Sequence, residues 1–185
     1  MVLRETGRLD ESLLYCQQAL EGSRKIFGED SVQVANFSMA SGTILYEQEN
    51  VAEAAGSFEK AKELHERHSG EVSREVAECA HALGLVCRDQ KRCSEAEVHL
   101  KQAVIIYQQV FGKESKRVAV GQKDLGLLFV DMDRFSEAEQ LLLGVLPTLE
   151  RECGDDVEYI VSIRETLEEI REKLSCRERT ERDGF

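Results

Sequence analysis

The sequence predicts an all-α protein: a right-handed α-α superhelix, or solenoid, of paired antiparallel helices closed by a C-terminal capping helix. Three observations carry this expectation. The chain is self-similar at 42 residues, with Gly42, Gly84 and Gly126 in phase, Ala54, Ala96 and Ala138 in phase, and Ala19, Ala61, Ala103 and Val145 in phase. Self-similarity at a period of roughly 20–50 residues is the signature of stacked repeats, each too small to bury its own apolar face. Gly28, Gly70, Gly112 and Gly154 punctuate the chain on the same beat. The third observation is composition: one proline, no tryptophan and few β-branched runs favour helix nearly throughout.

Within the unit 71–112, Ala80-x-x-Leu83-Gly84-x-x-Cys87 is followed by Glu95-Ala96-x-x-x-Leu100-x-x-Ala103. Small residues at Gly84, Ala96 and Ala103 suit two helices, A and B, whose backbones approach closely, with Leu83, Cys87 and Leu100 filling the space around that contact. The chain divides accordingly into a partial repeat at 1–28, repeats at 29–70, 71–112 and 113–154, a capping helix at 155–176 and a polar tail at 177–185. The repeat domain is thus 1–176.

In the first unit Leu3 is in phase with Leu45, Cys87 and Phe129, so helix A is expected only as a stub ending near Thr6. The turn is placed at Gly7-Arg8-Leu9, and helix B from about Asp10 to Phe27. The chain is read either as a fragment or as starting with an uncapped edge, with Leu13, Cys16 and Leu20 on the open side. The second unit has helix A from Ser31 to Gln48 and helix B from Val51 to His68. The third has them from Val72 to Asp89 and from Ser94 to Phe111. Ser94 with Glu97, and Ser136 with Glu139, have the spacing of capping boxes at the starts of B helices. Pro147 predicts a kink near Gly144 to Pro147, because proline removes one helical hydrogen bond. Beyond Gly154 an apolar stripe of Ile160, Ile163, Leu167, Ile170 and Leu174 on an otherwise charged segment predicts a helix with one wet face, as a terminal cap needs. Residues 177–185 are expected to fray.

Composition narrows the function. The net charge of −12 argues against nucleic acid or an anionic membrane as main partner, since both need a basic footprint. No apolar run approaches the ~20 residues of a spanning helix. The six cysteines include no Cys-x-x-Cys pair, and Cys16 and Cys87 fall at core-facing positions, so a reducing, intracellular and cytoplasmic setting is expected. His65-Glu66-Arg67-His68 lacks the spacing of a zinc-protease motif and reads as the solvated end of a B helix. Cys79 and His81 point to different sides of their helix. The glycines are isolated, and no serine nucleophile signature occurs. No catalytic residue, metal or cofactor is therefore assigned, and the chain is expected not to be an enzyme.

The residues Leu83-Gly84, Leu125-Gly126 with Phe129, and Ala54-x-x-x-Phe58 with Ala61 resemble the tetratricopeptide repeat. The 42-residue length, Phe27-Gly28 and Phe111-Gly112, and the Val-Ala pairs Val34-Ala35, Val76-Ala77 and Val118-Ala119 are similar to the kinesin light chain type of that repeat. The resemblance implies a protein-binding scaffold whose A helices line a concave groove. At the positions where light chains carry paired asparagines for an extended peptide, this chain has Met39-Ala40, His81-Ala82 and Lys123-Asp124.

Carried onto this chain, the groove face comprises Asn36, Met39, Thr43 and Tyr46 in the second unit, Glu78, His81, Leu85 and Arg88 in the third, and Val120, Lys123, Leu127 and Val130 in the fourth. Arg4 projects similarly from the stub. Apolar residues and local positive charge on one face suit a protein or peptide segment with a large apolar anchor beside Asp or Glu. Packing of Leu85, Leu127 and Val130 against neighbouring A helices is the competing reading of the same residues. Two further functions fit the pattern: self-association of a structural element through the open first unit, and the sensor or regulatory region of a larger signalling protein.

Overall fold

A computed structural model describes the backbone over residues 2–153 and 157–183, and side chains over 8–152 and 160–176. Eight α-helices and no strand occur among the described residues. They are α1 (Val2–Phe27), α2 (Val32–Glu47), α3 (Val51–Ser69), α4 (Arg74–Asp89), α5 (Cys93–Phe111), α6 (Lys116–Asp131), α7 (Phe135–Cys153) and α8 (Val157–Asp183). The contacts divide the chain into two compact units, Met1–Ile106 and Tyr107–Phe185. The A helices of the complete repeats are α2, α4 and α6, and the B helices are α3, α5 and α7.

The helix pairs close where the small residues predict. A methyl group added at Gly42 would stand 2.6 Å from the Phe58 ring, and one at Gly84 would stand 2.6 Å from Leu100 Cγ. At Gly126 the approach to Leu142 is 3.1 Å. The glycine on each A helix therefore receives a large side chain from its own B helix, at the same interval each time. In the first unit Leu45, Ala54, Phe58, Leu83 and Val86 form one buried cluster, flanked by Leu13, Met39 and Tyr46. Val34, Ala35 and Leu64 form another beside Leu20. In the second unit α7 packs on both α6 and α8. Ile160, Ile163, Leu167 and Ile170 are buried along α8, as the apolar stripe requires.

Each A-to-B turn has one residue in the left-handed region: Glu49 (φ 63°), Lys91 (φ 61°) and Asp133 (φ 56°). The amide after it reaches back to close the last helical turn, Asn50 N–H to Leu45 O at 2.9 Å, Arg92 N–H to Cys87 O at 2.8 Å and Arg134 N–H to Phe129 O at 2.9 Å. This is the Schellman arrangement, which satisfies carbonyls that the helix end leaves open. The B-to-A joints use glycine instead, with Gly28, Gly70 and Gly112 at φ 85°, 80° and 81°; Gly154 lies outside the described residues.

Three sequence expectations are corrected. Gly7 is in phase with Glu49, Lys91 and Asp133, yet α1 runs through it without a turn. Breaking a helix forfeits backbone hydrogen bonds unless packing repays them, and the expected stub and turn are absent. The capping boxes at Ser94 and Ser136 are not used, because α5 and α7 begin one residue earlier. Glu97 instead pairs with Lys101 at 2.6 Å, and Glu139 with Arg171 at 3.0 Å. The side-chain caps lie on the A helices: Ser31, Ser73 and Ser115 accept from the amides of Val34, Val76 and Val118. Finally, α8 continues to Asp183, so the helix extends well into the segment expected to fray. Pro147 sits within α7 without ending it.

Candidate functional site

One rule gives the candidate positions on each A helix, α2 and α4 in the first compact unit and α6 in the second. The intervals between Asn36, Met39, Thr43 and Tyr46, and between their equivalents, are three, four and three residues, which places each set on a single side of its helix. The buried stripe of each helix lies beside it: Val34, Ala35, Ser38 and Leu45 in α2, Val76, Ala77, Ala80 and Leu83 in α4, Val118, Ala119, Leu125 and Phe129 in α6.

In the compact unit Met1–Ile106, Asn36 and Thr43 are exposed, while Met39, Tyr46, Glu78, His81, Leu85 and Arg88 are half-buried. Several are already engaged. Met39 and Tyr46 pack against the core cluster. Tyr46 Oη donates to Asp89 Oδ2 at 2.5 Å, joining α2 to α4, and Cys79 Sγ lies 3.6 Å from Met39 Sδ. Thr43 Oγ1 donates to the Met39 carbonyl at 3.1 Å, and Arg74 holds Glu78 at 2.9 Å. The packing role considered for Leu85 thus falls at least on Met39 and Tyr46.

In the second unit, Val120, Lys123, Leu127 and Val130 are all half-buried on α6. Lys123 Nζ lies 2.7 Å from Asp124 Oδ1, and Asp124 is buried. The local positive charge expected at Lys123 is therefore met by a carboxylate on the next residue, which leaves an apolar face as the main character of α6. The side chain of Arg4 lies outside the described residues.

A second group of residues was not anticipated. The sequence places His65 in a solvated helix end, but it is 2 % exposed and its Nδ1 has no hydrogen-bond partner. His68, three residues on, matches the expectation better: it is exposed and lies 3.6 Å from Asp30. The repeat contains the missed signal, since position 65 is in phase with Tyr107 and Leu149, both buried. His99 on α5 also has a buried Nδ1 without a partner. Burial pushes the His65 imidazole below its ordinary pKa; Glu75 and Glu78 oppose this and His68 adds to it. Burial also lowers His99, aided by Lys62 and Arg92 and opposed by Glu95 and Glu59. Cys79 is fully buried, and burial pushes its thiol up to about 12, so it is no thiolate nucleophile at neutral pH. Among the described residues no group of three or more His, Cys, Asp or Glu is placed to hold a metal ion. No helix among them is long and apolar enough to cross a membrane.

The family model for the tetratricopeptide repeat matches this chain three times, over residues 1–67, 35–109 and 75–151. No curated protein matches the sequence significantly. Among solved structures, BtubC (BKLC) from P. vanneervenii is similar with a TM-score of 0.74 at 15% identity, over 98% of this chain and 77% of that one. A Podosopora anserina protein described as a kinesin light chain with nearly identical TPR-like repeats gives 0.75 at 15% identity, over 96% and 84%. The apo form of RapI gives 0.77 at 14% identity, over 94% of this chain and 61% of its own. At these identities the likeness is one of fold.

Proposed function

The chain belongs to the tetratricopeptide repeat family, and from that membership we propose that it is a non-catalytic scaffold that binds a segment of a partner protein along the exposed face of its A helices. One observation carries this reading. Leu85 on α4 and Leu127 on α6, which are in phase, are half-buried beside the packed core stripes of their own helices, and Val120 and Val130 are half-buried on the same side of α6 as Leu127. Apolar side chains kept partly at the surface offer a partner anchors whose burial is worth about 1.5–3 kcal/mol each when complete. His81 and Arg88 belong to the α4 face, and on α6 Lys123 pairs with Asp124. The partner segment is therefore held chiefly by an apolar anchor. The buried cysteines Cys16, Cys79 and Cys87 are unpaired, which suits a reducing, cytoplasmic setting.

The test is selection of binders from a displayed library of random peptides, followed by affinity measurement on single-residue variants. Leu85→Ala and Leu127→Ala each weaken the selected peptides at least tenfold, about 1.4 kcal/mol. Val98→Ala and Ile105→Ala remove exposed apolar side chains from a B helix, 66% and 54% exposed, and leave affinity unchanged. Loss of binding only in the α5 pair would refute the A-helix assignment.

A second reading rests on α1, which exposes Leu14, Tyr15, Ile26 and Phe27. Such a surface supports self-association as a structural element. Mass measured over a hundredfold concentration range tests it: a dimer that Tyr15→Ser abolishes supports association through α1, and a monomer throughout rejects it. The likeness to RapI is one of fold and leaves the regulatory-region reading without an observation of its own.

A further inference from the structure

All four histidines, His65, His68, His81 and His99, fall in the first unit, and the second unit has none. Two of them present a buried ring nitrogen with no partner: Nδ1 of His65 on α3 and Nδ1 of His99 on α5. A neutral imidazole tolerates that slot, leaving one acceptor unmade. A protonated one carries a second N–H that must find an acceptor, and a charge that must be hydrated or paired.

The surroundings do not supply enough compensation. Toward His65, α4 presents Glu75 and Glu78, with His68 on α3 itself. Glu78 is already held by Arg74. Toward His99, α3 presents Lys62 and Glu59, and the start of α5 presents Arg92 and Glu95. Arg92 and Glu95 are paired to each other, and Lys62 is paired to Glu66 at 3.2 Å. Lys62 also lies close to Cys79, whose buried thiol offers no negative charge at neutral pH. The repeat shows what else fits these positions: Leu149 is in phase with His65 and is fully buried, and Leu141 is in phase with His99.

We propose that His65 and His99 form an acid-sensitive seam in the first unit, whose protonation loosens the packing of α3 and α5 around α4, and with it the α4 face, while the second unit keeps its packing. The sign follows from the direction in which burial moves both rings. Each folded-state pKa lies below the ordinary histidine value of ~6.5. The unfolded or opened chain therefore takes up protons first as pH falls. The stabilisation is fully present above about pH 7, is lost as pH drops through ~6.5, and stops falling once the folded-state values are reached. Each histidine can shift the opening equilibrium by up to about tenfold per pH unit in that window. Carboxylates with ordinary values titrate mainly lower, near pH 4. The inference holds whatever binds the A-helix face.

Hydrogen exchange on the full chain at pH 7.5 and 5.5, corrected for intrinsic rates, tests it with the second unit as internal reference. Protection of 51–89 relative to 116–153 is expected to fall on acidification, by at most about tenfold per histidine for each pH unit of the window. The variant His65→Leu/His99→Leu is expected to lose that fall. A relative protection independent of pH in the wild type overturns the proposal, and so does a fall that survives the double substitution. Should the variant not fold, imidazole titration of the wild type by NMR decides: His65 or His99 titrating at or above ~6.5 overturns it.

Discussion

Gly70 has φ 80° and ψ 166°, a backbone region that an L side chain enters only at a cost. Nothing lies within 4 Å of where its Cβ would stand, so Gly70→Ala isolates the conformational penalty, about 1–3 kcal/mol. Gly56 also has open space, but it sits mid-helix in α3 and is exposed. Gly56→Ala is expected to stabilise by about 0.5–1 kcal/mol. Opposite shifts in melting temperature check the pair, and equal shifts would contradict the backbone argument. Gly84→Ala is a third case, because its Cβ would lie 2.6 Å from Leu100 Cγ and 3.2 Å from the Leu100 amide nitrogen. Overpacking of this kind costs about 1–3 kcal/mol. Gly126→Ala meets Leu142 at 3.1 Å and loses less. The close approach at Gly84 was legible in the sequence because glycine, leucine and alanine recur in phase. The burial of His65 was not, because its polar type and the charged residues around it outweighed its phase with Leu149.

At the scale of the helix, the ends were read less well than the bodies. Ser31, Ser73 and Ser115 stand 42 residues apart and cap the three A helices. The Ser-x-x-Glu pattern drew attention instead to Ser94 and Ser136, which lie inside α5 and α7. Ser73→Ala is expected to cost about 1 kcal/mol. Ser94→Ala is expected to change stability by less than about 0.5 kcal/mol, as an exposed position that follows the cap rather than forming it. Chemical denaturation of the two variants separates these readings; an equal loss for both would restore the capping box. The Schellman turns were hidden for a related reason. Their left-handed positions hold Glu49, Lys91 and Asp133 rather than the glycine that usually marks such a turn. Conversely, Gly7 holds the marker, and α1 passes through it. A turn residue specifies a break only when the two helices it would join can pack. By contrast, the expected bounds of α2 to α5 agree with the observed ones to within about two residues, since they follow the apolar phase.

Across the whole chain, the 42-residue period made the all-α repeat class readable, because each unit repeats the same packing problem with the same small residues. The candidate face was readable only in part. Phase located its positions, but it could not show that Asp124 would meet Lys123, or that Tyr46 would be tied to Asp89. Those contacts depend on rotamers and on neighbouring helices rather than on period. The same reasoning bears on α8. Ile160, Ile163, Leu167 and Ile170 are buried, and α8 packs against α7. Arg164 with Glu150 at 2.5 Å, and Arg171 with Glu139 at 3.0 Å, add surface pairs along that contact. Such pairs contribute only ~0–1 kcal/mol, so the apolar stripe supplies most of the attachment. Deleting residues 156–185 uncovers the apolar side of α7, including Leu142, Val145 and Leu149, at about 1.5–3 kcal/mol for each large side chain fully re-exposed. In a repeat protein, stability is set chiefly by neighbouring interfaces, so the loss should register first in the second unit. Hydrogen exchange in 116–153 is expected to rise before that in 74–89, at a temperature where the intact chain protects both. A uniform rise, or protection unchanged in 116–153, would show that α8 does not cap the array.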